Sequence, residues 1–93
     1  MEMNLKKEKS LISLLKTEDE WVSKVNGLVW DIEFNEGMVQ RTKDAYSDKY
    51  PDLVAHDVAH YQEEIKTQYE RLQIVRQELS EVRELIAGVI KGM

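Results

Sequence analysis

The sequence contains no cysteine, and this absence removes two common ways of stabilising a small domain. Without cysteine the chain forms neither a disulfide nor a metal site with thiolate ligands. A chain of 93 residues buries only about 60–65% of the surface that its unfolded form exposes, so it is marginally stable without such support. We therefore expect association, with a second copy or with another protein, to contribute to its stability.

Long apolar runs and an excess of basic residues are also missing. No apolar run approaches the roughly 18–20 residues of a membrane-spanning helix, and the N-terminal residues lack the cleavage site of a secretory signal. The formal net charge is −5, with 18 acidic against 13 basic residues, whereas contact with a phosphate backbone requires clustered lysine and arginine. The composition predicts a cytoplasmic protein with no membrane span and no direct contact with nucleic acid.

The acidic residues are concentrated in one part of the chain. Residues 17–48 hold eight acidic and three basic side chains, whereas residues 1–16 hold four basic and two acidic side chains. A strongly acidic surface attracts a partner of opposite charge. We expect a protein partner with a basic surface to bind in this acidic segment.

Proline is nearly absent, and its single occurrence marks a turn. Pro51 lies in a stretch of turn-forming residues between Tyr46 and Asp52. Proline disfavours the helical conformation in the residue before it and suits the first turn of a helix. The sequence therefore predicts one all-α domain over residues 1–93, a hairpin with a first long helix at 18–49 and a second at 52–91.

The second half of the chain carries an uninterrupted heptad repeat. Eleven of its twelve seam positions are apolar or aromatic, and Gln68 is the exception. Positions a are Val58, Ile65, Leu72, Leu79, Ile86 and Met93, and positions d are Val54, Tyr61, Gln68, Val75, Val82 and Val89. A repeat of this length predicts one amphipathic helix. Leu85 and Ile90 widen the apolar stripe near its end, which indicates burial against more than one neighbour.

The first half of the chain is more ambiguous. Thr17 to Glu20 matches a capping box ahead of Trp21, which predicts that a helix begins at residue 18. A separate short amphipathic helix is then expected at residues 1–16. The long helix has an apolar face that Asn35 and Thr42 interrupt.

An α+β fold is the alternative, with a small β-hairpin at about residues 21–34. Asn26-Gly27 is a favoured two-residue turn, and apolar residues alternate after it. An isolated two-stranded hairpin is marginally stable, however, and the chain offers no third strand. We therefore expect the helix.

A second apolar stripe lies outside the helix seam. Trp30, Phe34 and Met38 share one helix face at i, i+4 and i+8, and the short N-terminal helix could fold back over them. A helix of forty residues is about 60 Å long, roughly twice the diameter of a compact chain of this size. We therefore expect a homodimer or higher oligomer, an antiparallel helical bundle. The residues predicted to form the interface with a second copy or a partner are Trp30, Phe34, Met38, Ile65, Leu72, Val75, Leu79, Val82, Leu85, Ile86, Val89 and Ile90.

Two sets of polar residues have spacings that suit a metal. His56 and His60 are four residues apart and Glu64 follows one turn later, so all three could share an ion on one helix face. Heptad positions f and c place the histidines towards solvent, where a role in metal binding is uncommon. Glu33 and Glu36 have the i, i+3 spacing of a carboxylate motif in all-α nucleotide pyrophosphatases, but that family's second motif has no counterpart. We expect no metal, no cofactor and no catalytic residue.

These features favour a small acidic helical interaction protein. It would act as a regulator, adaptor or inhibitor by binding a macromolecular partner, and an origin in a phage or mobile element is one hypothesis, since acidic inhibitors can imitate a phosphate backbone. The first alternative is a structural or assembly protein, such as a scaffold or chaperone-like bundle. The second alternative is a metal-dependent all-α enzyme such as a nucleotide pyrophosphatase.

Overall fold

The computed structural model describes residues 2–92, and the side chains of residues 9–92. It consists of two long helices, α1 at Glu2–Tyr46 and α2 at Pro51–Lys91. No strand occurs within the described residues. The all-α fold with two long helices is therefore confirmed.

Helix α1 has no break at Thr17, so the prediction of a separate short helix at residues 1–16 is wrong. The Thr17 Oγ1 hydroxyl donates to the Ser13 carbonyl at 3.0 Å, which is the bond of a threonine inside a helix, not of a helix cap. Good helix formers lie on both sides of this point, and extending a helix costs less than nucleating a new one. The N-terminal segment continues α1 and does not fold back over Trp30.

The alternative β-hairpin at residues 21–34 is also wrong. Asn26 and Gly27 lie inside α1, and no described residue has a positive φ. A type I′ hairpin turn requires a positive φ at both central residues. A continuous helix satisfies the backbone hydrogen bonds of this segment, whereas a hairpin would leave two exposed strand edges.

The turn between the helices is short. Helix α1 ends at Tyr46, three residues before the predicted end, and its last carbonyl accepts hydrogen bonds from the Lys49 and Tyr50 amides at 3.2 and 2.9 Å. Pro51 begins α2, where its missing N–H would have no helical partner anyway. The Val54 amide then donates to the Tyr50 carbonyl at 3.0 Å, which closes the first turn of α2.

The heptad seam of α2 is confirmed, since none of its eleven described positions is exposed; the twelfth, Met93, lies outside the described residues. The buried positions are Val54, Val58, Leu72, Leu79, Val82 and Ile86. Helix α1 has a matching seam at alternating spacings of three and four residues, and none of its members is exposed either. These are Leu11, Leu14, Glu18, Trp21, Val25, Leu28, Ile32, Asn35, Val39 and Thr42. Leu85 and Ile90, by contrast, are exposed.

The chain divides into two compact units. The terminal unit combines Met1–Asn26 with Gln73–Met93, and the turn unit is Gly27–Leu72. The buried apolar side chains of the terminal unit are Leu79, Val82 and Ile86. Those of the turn unit are Ile32, Val54, Val58 and Leu72, and Asn35 is buried among them.

Candidate interaction surface

A stacked aromatic pair lies on the solvent side of α1 in the turn unit. The Trp30 and Phe34 side chains are 66% and 54% exposed, and their ring centroids are 6.0 Å apart with planes inclined by only 16°. The i, i+4 spacing places both rings on one helix face, outside the seam. Met38, one turn further, is half-buried. The second apolar stripe of the sequence is thus open to solvent at its two aromatic members.

Two glycines flank this aromatic pair along α1. Gly27 lies three residues before Trp30, and Gly37 lies three residues after Phe34. A Cβ atom built at either glycine would meet nothing within 4 Å. The two rings form an exposed apolar surface, which we call the aromatic knob, with a glycine on the helical turn before it and another on the turn after it.

The border of the aromatic knob is acidic. Asp31, Glu33 and Glu36 are exposed, and α1 carries no basic residue between Lys24 and Arg41. The Tyr69 hydroxyl of α2 donates to Glu36 Oε1 at 2.9 Å. The knob thus combines two large apolar rings with carboxylates, a combination suited to an apolar site bordered by positive charge.

The turn unit also contains a partly buried polar contact in its seam. Asn35 Nδ2 donates to Gln68 Oε1 at 3.0 Å, and Asn35 is 8% exposed. A paired amide in an otherwise apolar seam favours one register of the helices, because other registers leave both groups unsatisfied. The sequence identified Gln68 as the one polar residue of the α2 seam, but its pairing with Asn35 was not predicted. The signal was present, since both residues interrupt apolar faces in the sequence.

The terminal unit has a different surface, an open groove of about 630 Å³. Its apolar wall and polar rim are formed by Val22, Val25, Asn26, Arg76, Leu79, Ser80, Arg83, Glu84 and Ala87. Arg83 Nε donates to Glu18 Oε2 at 3.1 Å, which ties this rim to the α1 seam. The groove therefore has an apolar wall, and the charged residues that line it are Arg76, Arg83, which is paired with Glu18, and Glu84.

Most of the residues predicted to form an interface are buried or half-buried within the chain itself. Leu72, Leu79, Val82 and Ile86 are buried, and Ile65, Val75 and Val89 are half-buried. The predicted interface residues that remain exposed are Trp30, Phe34, Leu85 and Ile90. Contact with a second copy or a partner stays a prediction for all of them.

The histidines predicted as weak metal candidates do not gather into a site. His60 Nε2 lies 3.3 Å from Glu64 Oε1, but His56 lies beside Asp57, with 3.7 Å between Nδ1 and Oδ1. Both histidines are exposed, as their heptad positions predict. Within the described part of the chain, no three His, Asp or Glu side chains come together in an arrangement that could hold a metal ion. This holds for Glu33 and Glu36 as well.

The last two findings concern membrane crossing and similarity to known proteins. Neither described helix is both long and apolar enough to cross a membrane. No protein-family model matches the sequence, and no curated protein or solved structure is significantly similar to it.

Proposed function

We propose that this chain is a small acidic interaction protein that acts as a regulator, adaptor or inhibitor by docking the aromatic knob on another protein. The single observation that supports this most strongly is the stacked Trp30–Phe34 pair, exposed on a rigid helix. Exposed aromatic anchors at i and i+4 are the pattern of a helix that binds in the groove of a partner. Tryptophan and other aromatic residues are also enriched among the residues that dominate binding energy.

The chemistry of the knob defines the kind of partner that it fits. Both rings present apolar faces, so the partner needs an apolar groove that removes them from water. Asp31 and Glu33 border the rings, so basic side chains at the rim of that groove would speed association and favour the correct orientation. The partner is therefore a protein with an apolar groove and a basic rim.

The test is affinity capture from an extract of the source cells with three versions of the chain. The variant Trp30→Ala/Phe34→Ala removes the knob, and the matched control Leu53→Ala/Ile74→Ala removes two other exposed apolar side chains. Wild type and control should retain the same partner, and the knob variant should lose it by at least about 10-fold, the effect of one strong anchor. Circular dichroism should show that all three versions are equally helical.

A contrary result would be a set of captured proteins that is the same for all three versions. Salt gives a second check on a partner that is captured and then purified. Raising the ionic strength should slow its association with the chain, because charge attraction between the acidic border and a basic rim is screened within about 8–10 Å in physiological buffer. Association that is indifferent to salt would contradict the basic rim.

A further inference from the structure

The chain exposes more surface than a typical folded monomer of its mass. The accessible surface is 7312 Å² for a mass of 10.9 kDa, whereas a typical folded monomer of that mass exposes about 5,600 Å². The excess is roughly 1,700 Å² per chain, and an interface that removed it from two copies would total roughly 3,400 Å². That total lies within the range of large protein–protein interfaces, about 2,000–5,000 Å².

The groove of the terminal unit has the chemistry that the aromatic knob requires. Val22, Val25 and Leu79 contribute to its apolar wall, and its volume of about 630 Å³ lies within the range of clefts that bind ligands. Arg76 stands at its rim and has no hydrogen-bonding or ionic partner among the residues whose side chains are described. An unpaired cation beside an apolar groove suits a ligand that carries both a ring and a carboxylate.

We propose that the aromatic knob of one copy occupies the terminal-unit groove of a second copy, and that the reciprocal contact closes a two-fold homodimer. This inference rests on the proposed function, because it uses the same docking surface: a second copy occupies the aromatic knob in the free protein, and the partner protein displaces that copy when it binds. Each copy carries one knob and one groove, so a reciprocal arrangement uses the same pair of contacts twice and closes without free ends.

Charge favours this arrangement over a direct contact between two knobs. Two knobs facing each other would bring Asp31 and Glu33 of each copy against the same residues of the other. Like charges across an interface are unfavourable, whereas the groove offers Arg76 opposite these carboxylates. The acidic border therefore selects the groove as the acceptor.

Sedimentation equilibrium over a range of concentrations tests the dimer with purified protein. Wild type should have the mass of two chains at micromolar concentration. The Trp30→Ala/Phe34→Ala variant should raise the dissociation constant by at least about 100-fold, because a two-fold dimer loses both anchors twice. The Leu53→Ala/Ile74→Ala control should stay within about 3-fold of wild type.

A charge exchange tests the groove separately. Arg76→Glu should raise the dissociation constant by at least about 10-fold, and adding Asp31→Lys and Glu33→Lys to it should restore most of that loss. Lys66→Glu, an outward residue of the turn unit, is the matched control and should have little effect. Failure of Arg76→Glu to weaken a dimer that the knob variant abolishes would overturn the groove as the acceptor.

Two other outcomes would also overturn the inference: a single-chain mass at all concentrations, or a mass that grows without limit as concentration rises. The proposed function has its own readout, which is loss of the captured partner in the knob variant. A monomeric wild type that still captures a partner through the knob would reject the dimer alone. A dimer whose knob variant captures the same partner as wild type would reject the function alone.

Discussion

The turn unit and the terminal unit are built from the same two helices, but different contacts hold the helices together in each. The turn unit buries four apolar side chains and pairs Asn35 with Gln68 in its seam. The terminal unit buries three apolar side chains, joins Glu18 to Arg83 at a partly exposed position, and leaves an open groove. One unit thus has an amide pair in its seam and an exposed aromatic knob, and the other has a partly exposed ion pair and a concave surface.

Sequence separation explains only a small part of this difference. The Asn35–Gln68 pair joins residues 33 apart in the chain, and the Glu18–Arg83 pair joins residues 65 apart. Doubling the length of a closed loop costs only about 0.6 kcal/mol of entropy. The difference between the units therefore lies in the side chains of each seam, which substitutions can test.

The largest effect is expected from shortening a leucine in each core. Leu72, in the turn unit, is 2% exposed, so Leu72→Ala should lower the free energy of unfolding by about 3 kcal/mol. Leu79→Ala, in the terminal unit, should cost less, about 2 kcal/mol, because Leu79 lines the open groove and water can reach the space left behind. Urea unfolding with both variants measures this difference, and Leu85→Ala, at an exposed position, is the control. An equal or larger loss at Leu79 would contradict the ranking of the two cores.

The second effect tests whether the amide pair specifies the seam of the turn unit. Asn35→Leu alone should lower the unfolding free energy by about 2 kcal/mol, because it leaves the Gln68 amide without its partner. Gln68→Leu alone should also be destabilising, for the same reason at Asn35. The double variant, with leucine at both positions, should return to wild-type stability or exceed it, at some loss of register specificity.

The control for the amide pair is Gln62→Leu, an exposed glutamine on the same helix, which should change stability by less than about 0.5 kcal/mol. Thermal unfolding followed by circular dichroism is sufficient for all four variants. A double variant no more stable than either single variant would show that the two amides act independently.

This amide pair also marks how far the sequence determines the fold. The heptad repeat predicts both α2 and its buried face, because heptad spacing places the apolar residues on one face of a helix and that face is buried. The pairing of Asn35 with Gln68 depends on how far one helix slides along the other. Residues equidistant from the turn at residues 47–50 would pair Asn35 with Gln62, and the observed partner is six residues further on, roughly 9 Å along the helix. The sequence around each of the two residues does not determine this six-residue offset between the helices.

The error at Thr17 has a different physical cause. A capping box describes how a helix could begin, and it cannot show that the preceding residues are not already helical. Because residues 2–16 are themselves helical, the threonine side chain bonds back to Ser13 and the box is not formed. Helical spacing alone predicted that Trp30 and Phe34 share one helix face, but not that this face is exposed. The groove was not predictable either, because Val25 and Leu79 lie far apart in the sequence and line the same groove only after the helices pair.

A third effect, opposite in sign, is expected at the glycines beside the aromatic knob. Gly37→Ala should raise the unfolding free energy by up to about 1 kcal/mol, since alanine is the better helix former and its Cβ meets no neighbour. Gly27→Ala should act in the same way. If a groove closes over the knob, the same substitutions should weaken dimer or partner binding while stabilising the monomer. Calorimetry of the monomer and sedimentation of the dimer separate these two effects, and tighter binding would contradict a close fit around the knob.

The smallest effect is expected at the ion pair of the terminal unit. The Glu18 and Arg83 side chains are 26% and 58% exposed, so solvent screens their attraction despite the 3.1 Å contact. A double-mutant cycle with Glu18→Gln and Arg83→Ala should give a coupling energy of about 0.5 kcal/mol, and this coupling should decrease as salt is added. The corresponding cycle at Asn35 and Gln68 should give a larger coupling that is insensitive to salt, because neither amide carries a charge. A coupling energy at Glu18–Arg83 above about 1 kcal/mol that persists in high salt would contradict this prediction. It would mean that this ion pair determines the pairing of the helices in the terminal unit as strongly as the amide pair does in the turn unit.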